Sequence, residues 1–171
     1  MKEIEVKILD INVEDIRKKL LDLGAEKVFE GEVEMYRFDY PDDRLNKEDS
    51  FLRIRKMGEQ VELCFKGKKE GTQFKMREEI EVTTSGLNDT LLIFEKLGLK
   101  KIFDGKKLRE SYTLGDVRFE LDTYPGVPTF VEVEAPTEEE VITHVEKLGY
   151  SMNQTTTLSG FEVEREYKKN E

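Results

Sequence analysis

The feature that most restricts the fold of this chain is a period-two alternation of charged and apolar residues, repeated in one short segment after another. In the first of these, Lys2–Ile8, the charged residues Glu3, Glu5 and Lys7 alternate with apolar ones. Successive side chains of a β-strand point to opposite faces, so the segment is predicted to be a strand with one charged and one apolar face. A charged face is usually just the solvated side of an antiparallel sheet. Whether it is instead a binding surface depends on whether the other strands repeat the pattern.

Seven further segments alternate in the same way, and three others have helical periodicity. Strands are predicted at 27–40, 51–55, 61–66, 74–82, 100–112, 117–123 and 130–135. Amphipathic helices are predicted at 13–23 and 87–97, and Leu97 is expected to be in the buried stripe of the second. A third helix follows the capping box of Thr137 and Glu140, and a short terminal helix is predicted at 161–168. The segment 41–50 is expected to be a mobile loop without regular structure. Many short strands joined by tight turns indicate an antiparallel barrel or sandwich.

Composition limits both the domain number and the class of partner. A chain of 171 residues is predicted to form one domain, 1–171. Its net charge of −10 argues against a non-specific nucleic-acid binder, because such a surface repels phosphate backbones. A single cysteine, Cys64, excludes an intramolecular disulfide and fits the cytoplasm. No apolar run approaches the ~20 residues of a membrane span, so no membrane partner is expected; a homodimer remains open.

The charged faces carry pairs of like sign, which solvated faces do not ordinarily do. Like charges on one strand face cost energy unless something compensates them. If the helices cover the apolar faces, the charged faces line the interior of a water-filled barrel that is built for a highly charged guest. The pairs are Glu3/Glu5, Glu79/Glu81 and Glu132/Glu134 for the acids, and Arg53/Arg55 and Lys107/Arg109, with Lys66 singly, for the bases.

These residue types suit a phosphorylated ligand and a divalent cation. Arginine binds phosphate oxygens through a bidentate fork, and lysine binds them as a point charge. Pairs of carboxylates suit Mg2+ or Mn2+, which would bridge to the same phosphates. The pattern therefore predicts a metal-assisted site for a phosphate-rich small molecule.

The order of these motifs resembles that of the CYTH proteins, also called triphosphate tunnel metalloenzymes. This family includes class IV adenylyl cyclases, thiamine triphosphatases and inorganic triphosphatases, and the resemblance extends from residue 2 to about residue 149. The motif Glu3-x-Glu5-x-Lys7 is weak alone, but six more follow in the same order and spacing. They are Leu52–Arg55, Leu63–Gly67, Arg77–Val82, Lys107–Arg109, Phe119–Asp122 and Phe130–Glu134.

The resemblance implies an α+β fold: an eight-stranded antiparallel β-barrel, or tunnel, with a charged interior and about three flanking helices. It also implies a role for each matching residue. Lys7 would contact phosphate or help to activate the attacking group, and Glu120 shares the face of Asp122. Apart from the resemblance, Tyr36 and Glu34 could reach the mouth of the tunnel, and for each a structural role is an equal alternative. The implied phosphate-binding residues are Arg53, Arg55, Lys66, Lys107 and Arg109, and the implied ligands of Mg2+ or Mn2+ and their supporting acids are Glu3, Glu5, Glu79, Glu81, Asp122, Glu132 and Glu134.

The motifs leave the reaction open. A hydrolase orients water at the terminal phosphorus, whereas a cyclase directs a ribose 3′-hydroxyl at the α-phosphorus, and both need the same cations and metals. Hydrolysis is favoured because it demands less of the site, and the turn Pro125–Pro128 departs from the Leu-Gly turn of cyclase-like members. A barrel that binds phosphorylated metabolites without turnover is a third alternative. Tripolyphosphate, ATP and thiamine triphosphate all remain candidate substrates, and the segments 41–50 and 67–71 are candidate lids.

Overall fold

The computed structural model describes residues 2–169, except for the side chains of Lys2 and Glu3. The metal-ligand role expected of Glu3 therefore lies outside the described residues. None of the described helices is both long and apolar enough to cross a membrane. The strands are β1 (Lys2–Ile8), β2 (Glu26–Asp39), β3 (Phe51–Met57), β4 (Gln60–Lys66), β5 (Lys75–Thr84), β6 (Lys100–Leu114), β7 (Val117–Thr123), β8 (Phe130–Ala135) and β9 (Thr155–Thr156). The helices are α1 (Val13–Asp22), α2 (Arg44–Lys47), α3 (Leu87–Lys96), α4 (Glu138–Lys147) and α5 (Gly160–Lys168).

The hydrogen-bonded strands form a closed ring. Their order is β5-β4-β3-β2-β6-β7-β8-β1, with β9 beside β1, and β5 also pairs with β1. The fold is thus an α+β fold with a closed, eight-stranded antiparallel barrel and one additional short strand, which confirms the predicted fold class. The described part of the chain has five α-helices rather than about three. The two additional ones are α2, inside the segment expected to be irregular, and α5, at the predicted terminal helix.

Contacts within the chain define two compact units, which are described separately below. The β3–β4 unit consists of Gly31–Lys69 and Arg77–Lys106. The β7–β8 unit consists of Glu3–Glu30, Glu70–Met76 and the chain from Lys107 onward. The organisation of residues 1–171 as a single domain stays a prediction.

The apolar strand faces of the β7–β8 unit pack against α1 and α4. Ile16 and Leu20 on α1 and Val141 and Val145 on α4 are fully buried, at the helical spacing that the sequence indicates. They share a core with residues of β1, β7 and β8 such as Val6. Fully burying an aliphatic side chain of this kind contributes about 1.5–3 kcal/mol. This core leaves the charged faces of the same strands on the other side.

In the β3–β4 unit, the apolar faces of β2 and β3 pack against α3. Ile54 and Phe38 form a core with Phe94 of the helix, and the rings of Phe38 and Phe94 meet edge to face at 5.1 Å. The prediction that Leu97 belongs to the buried stripe is wrong. Leu97 caps the helix C-terminus and is exposed, because the helix ends there and Leu99, after the turn at Gly98, is the residue that joins the core.

The segment 41–50 is organised by one buried carboxylate. Asp39 accepts hydrogen bonds from the backbone N–H groups of Tyr40, Leu45 and Asn46 at 2.6–3.0 Å. These bonds fix the short helix α2, so the expectation of an irregular loop is wrong. A local acceptor that organises backbone donors in this way leaves no periodic signal in the sequence.

Candidate functional site

Seven ionisable residues of the β3–β4 unit lie on one face of three paired strands. Arg53 pairs with Cys64 and Arg55 with Glu62 across β3 and β4, while Cys64 in turn pairs with Glu81 of β5. Residues directly opposite each other in adjacent strands share a face. We call this group the β3–β4 cluster: Arg53, Arg55, Glu62, Cys64, Lys66, Glu79 and Glu81.

Glu62 is the anionic centre of the arginine pair. It is only 3% exposed, and it accepts hydrogen bonds from Arg55 Nη2 at 2.9 Å and from Arg53 Nη2 at 3.3 Å. Burial alone would raise the pKa of Glu62, but the two guanidinium groups hold it below its usual value. Glu81 lies beside it with a raised pKa, because of burial and of the neighbouring Glu62 charge. The sequence motifs omit Glu62, although its position on the face of Cys64 and Lys66 was a usable signal.

Lys66, Glu79 and Cys64 complete this cluster. Lys66 forms a close ion pair with Glu79, and both side chains are buried. Burial raises the pKa of the Cys64 thiol to about 11, so the thiol is protonated at neutral pH. One potential ligand atom from each of Cys64, Glu79 and Glu81 lies within 4.8 Å of the others. A protonated thiol suits Mg2+ or Mn2+ poorly, because both ions prefer oxygen ligands.

The β7–β8 unit contains a second charged face, built on β1, β6, β7 and β8, and Lys75, the first residue of β5, contacts it. Glu5 pairs with Glu134 and Lys7 with Glu132 across β1 and β8, and Glu120 of β7 pairs with Glu132. We call this group the β7–β8 cluster: Glu5, Lys7, Lys75, Lys107, Arg109, Glu120, Asp122, Glu132 and Glu134.

Lys7 is a buried ammonium group between carboxylates. It is 2% exposed, and its Nζ lies 2.7 Å from Glu5 Oε1 and 2.5 Å from Glu132 Oε2. Burial alone would lower the pKa of Lys7, but Glu132 and Glu5 raise it well above its usual value. The lysine is therefore protonated at neutral pH and donates hydrogen bonds; it cannot act as a base.

Three carboxylates of this cluster form the clearest potential metal site. One oxygen from each of Glu5, Glu132 and Glu134 lies within 4.8 Å of the others. Glu5 also contacts Lys75 Nζ at 2.5 Å, so two ammonium groups border the carboxylates. Lys75 was absent from the predicted site, although it lies at an alternating position of its strand.

Asp122 is buried beside two of the predicted phosphate-binding cations. Its carboxylate accepts hydrogen bonds from Lys107 Nζ at 2.6 Å and from Arg109 Nε and Nη2 at 2.7 and 2.6 Å. Burial alone would raise the pKa of Asp122, but Arg109 and Lys107 hold it far below its usual value. Glu120 lies 3.5 Å from Arg109 and accepts a hydrogen bond from the Ser111 hydroxyl. Asp122 thus orients cations in this structure, and it is not part of the three-carboxylate group.

The structure places Tyr36, like Glu34, in neither of the two clusters. Tyr36 pairs with Ile54 across β2 and β3, on the face opposite Arg53, and packs at the edge of the apolar core under α3. Its hydroxyl donates to Glu34 at 2.8 Å. Every other predicted site residue whose side chain is described belongs to one of the two clusters.

Comparisons with known proteins agree on one family. The model of the CYTH domain matches residues 1–163. The chain is 34% identical over 134 residues to "Putative adenylate cyclase MJ0240" of Methanocaldococcus jannaschii, covering 77% of this chain and 74% of that protein. The PH1012 protein of Pyrococcus horikoshii OT3 superposes with a TM-score of 0.79 and 25% identity, covering 94% of this chain and 98% of that one.

A structure from Vibrio parahaemolyticus, also named as a putative adenylate cyclase, superposes with a TM-score of 0.85. It covers 95% of this chain and 97% of its own, at 19% identity. At that identity the likeness concerns the fold alone.

Proposed function

The chain belongs to the CYTH domain family, and we propose that it is a divalent-metal-dependent enzyme that binds a triphosphate and hydrolyses a phosphoanhydride bond. Family membership supports a triphosphate-processing enzyme; the reaction and the metal are the proposed part. The observation that carries the proposal is the group of Glu5, Glu132 and Glu134 beside the protonated Lys7.

The three-carboxylate group fits a hard divalent cation. Mg2+ and Mn2+ take oxygen ligands, and Glu5, Glu132 and Glu134 each offer one within 4.8 Å of the others. When bound, such an ion neutralises charge on phosphate oxygens and polarises the phosphorus that is attacked. In this proposal, Glu3, Glu79, Glu81 and Asp122 are supporting acids rather than primary ligands.

The cations within each cluster are proposed to bind phosphate oxygens. In the β3–β4 cluster, Arg53 and Arg55 offer guanidinium forks that match phosphate oxygens. In the β7–β8 cluster, Asp122 holds Lys107 and Arg109 through its hydrogen bonds, which fixes the direction in which their remaining N–H groups point. In either cluster, cations of this kind, Lys66 among them, can orient a phosphate group and stabilise the charge that develops during phosphoryl transfer.

The protonation state of Lys7 limits its role. Because its pKa is raised by Glu132 and Glu5, it does not remove a proton from the attacking water. It instead holds the carboxylates that would bind the metal and donates to a phosphate oxygen. Positioning of this kind is a main source of rate acceleration in phosphoryl transfer.

Hydrolysis and cyclisation differ in what else the site must hold. A cyclase must also place a ribose hydroxyl and a nucleobase, whereas a hydrolase needs only an oriented water molecule at the terminal phosphorus. We therefore favour hydrolysis. Adenylate cyclase is the second candidate, and the name of the Methanocaldococcus jannaschii relative favours it.

Identification of the products tests the proposal. Tripolyphosphate, thiamine triphosphate and ATP are incubated separately with the protein and Mg2+ or Mn2+, and products are resolved by phosphorus NMR. Hydrolysis releases orthophosphate and leaves a diphosphate. Cyclic AMP with pyrophosphate from ATP would instead establish the cyclase, and binding without any product would establish a non-catalytic binder.

A further inference from the structure

An additional arginine shares the charged face of the β3–β4 unit. Arg37 on β2 lies directly opposite Arg53 on β3 in the antiparallel register. Its side chain therefore belongs to the same face as the arginine pair, on the side away from Cys64 and Glu81. None of the motifs that indicate the phosphate site contains this residue.

Arg37 is held by an aromatic ring rather than by an acid. Its guanidinium carbon lies 3.9 Å from the centroid of the Phe51 ring, and that of Arg77 lies 5.5 Å from the same ring. The Nε of Arg37 is buried without a hydrogen-bond partner. Among the described residues, no carboxylate oxygen lies within ion-pair distance of Arg37. Stacking on the ring therefore fixes the guanidinium plane, and the donors remain available.

Asp39 and Asp49, the two acids whose charges act on Arg37, accept hydrogen bonds from other donors. Asp39 accepts three backbone N–H groups at the start of α2. Asp49 accepts a hydrogen bond from Arg77 Nη2 at 3.0 Å and another from the backbone N–H of Lys69 at 3.0 Å. Neither carboxylate can turn to Arg37 without breaking these bonds.

The surroundings of Arg37 are consequently rich in positive charge. Burial lowers the pKa of Arg37, and the positive charges of Arg77 and Arg53 lower it further. Arg77 is itself fixed, because it also donates to the backbone carbonyl oxygens of Asp49 and Gly67. A partly buried group of three arginines, one of them without an acid, is stabilised by an anion from outside the chain.

We propose that Arg37 is a further substrate-binding residue, whose guanidinium donates to phosphate oxygens of the substrate beside Arg53. The inference rests on the proposed function for the identity of the anion as a triphosphate. Arg37 lies on the β2 side of Arg53, away from the carboxylates of β4 and β5. Its stacking on Phe51 and its register opposite Arg53 involve no metal ion, so its contribution to tripolyphosphate binding should persist in chelator.

The chain offers a matched control for this test. Arg44 also stacks on an aromatic ring, with its guanidinium carbon 4.0 Å from the Tyr40 centroid. It is exposed and forms an ion pair with Asp42 at 3.0 Å. Arg37→Gln and Arg44→Gln thus remove the same charge and the same stacking, but only the first removes a cation from the charged face.

Calorimetric titration with tripolyphosphate in the presence of a chelator compares the wild type with Arg37→Gln, Arg37→Lys and Arg44→Gln. Because Arg37→Gln loses a charged hydrogen-bonding group, its affinity for tripolyphosphate should be roughly 10- to 100-fold weaker. Arg37→Lys keeps the charge but not the fork, so its affinity falls between those of the wild type and Arg37→Gln. Arg44→Gln binds like the wild type, within about twofold.

Thermal denaturation of the same proteins shows whether each variant is folded. Without tripolyphosphate, Arg37→Gln should melt at the wild-type temperature or above it, because repulsion from Arg53 and Arg77 is relieved. Added tripolyphosphate should raise the melting temperature of Arg37→Gln by less than that of the wild type. Affinity of Arg37→Gln within twofold of the wild type overturns the inference. Tripolyphosphate binding that depends on Arg37 but leads to no turnover with Mn2+ would overturn the proposed hydrolysis alone. Binding by the wild type with Mn2+ but not in chelator would overturn the metal-independent role of Arg37, and no binding under either condition would overturn both proposals.

Discussion

Two buried lysines of the β7–β8 cluster have opposite pKa shifts, and the reason lies in their immediate neighbours. Glu132 and Glu5 outweigh the effect of burial on Lys7 and raise its pKa. For Lys107, burial and the positive charge of Arg109 outweigh Asp122 and lower the pKa to about 8. A phosphate beside Lys107 would favour its charged form. Lys7 is thus charged before substrate arrives, whereas Lys107 gains most from an anionic ligand.

Arg55 illustrates a residue with both a structural and a binding role. Arg55→Ala leaves Glu62 buried with only the more distant Arg53 donor at 3.3 Å. Removing one partner of a buried pair leaves a poorly compensated charge, so we expect the free energy of unfolding to fall by about 1–3 kcal/mol. Urea denaturation measures the change.

The double variant Arg55→Ala/Glu62→Gln separates this charge effect from lost packing. Neutralising Glu62 removes the buried charge, and most of the lost stability should return. Triphosphate affinity should stay weak in both variants, because neither has the Arg55 fork. A double variant that is no more stable than Arg55→Ala would show that Glu62 does not need its arginine.

At the scale of elements, one carboxylate joins α1, β2 and β6 within the β7–β8 unit. Glu110 on β6 accepts hydrogen bonds from Arg17 Nε on α1 at 3.2 Å and from the Tyr112 hydroxyl at 2.9 Å, and lies 3.0 Å from Lys27 Nζ on β2. The Arg17 hydrogen bond, with those of Lys27 and Tyr112, lowers the pKa of Glu110 to about 2.

This shift predicts an acid-sensitive contribution to stability. The pKa of Glu110 in the folded protein lies below its usual value of 4.5. The stabilisation is therefore complete above about pH 4.5 and is lost as the pH falls towards 2. After allowance for solvent screening, Glu110→Gln should cost about 1 kcal/mol at pH 7 and almost nothing near pH 2.

Glu14 provides the control for that experiment, because it contacts the same Arg17 from an exposed position. Chemical denaturation between pH 2 and 7 should show no difference between Glu14→Gln and the wild type. If the loss in Glu110→Gln were the same at every pH, its cause would be packing rather than charge.

The sequence predicted the strands and the faces of most of their residues, because alternation of period two leaves a direct signal. It could not predict which charges neutralise one another, since partners such as Glu62 and Arg55 lie on different strands. It also missed α2, because the backbone hydrogen bonds of Asp39 have no periodic signature. The role of Tyr36 at the tunnel mouth stays a prediction, and alternation along β2 puts its side chain on the face opposite Arg37.

At the scale of the whole molecule, most cations of the two clusters form ion pairs with acids of the same cluster. Arg55 pairs with Glu62, and Lys66 pairs with Glu79. Lys7 forms ion pairs with Glu5 and Glu132. A triphosphate must therefore compete with these acids for the cations. A metal ion that occupies the carboxylates would release the cations to the phosphates, so metal and triphosphate should each strengthen the binding of the other.

The most direct test of the account is the steady-state rate of tripolyphosphate hydrolysis as a function of Mn2+ concentration. It is measured for the wild type, Glu5→Gln and the control Glu14→Gln, whose side chain is exposed. The wild type and the control should be inactive in chelator and become active with Mn2+. Glu5→Gln keeps the size of the side chain but loses the charge, so its turnover should fall by about two orders of magnitude and need more Mn2+. Equal turnover by Glu5→Gln and the wild type, or full activity in chelator, would contradict the account.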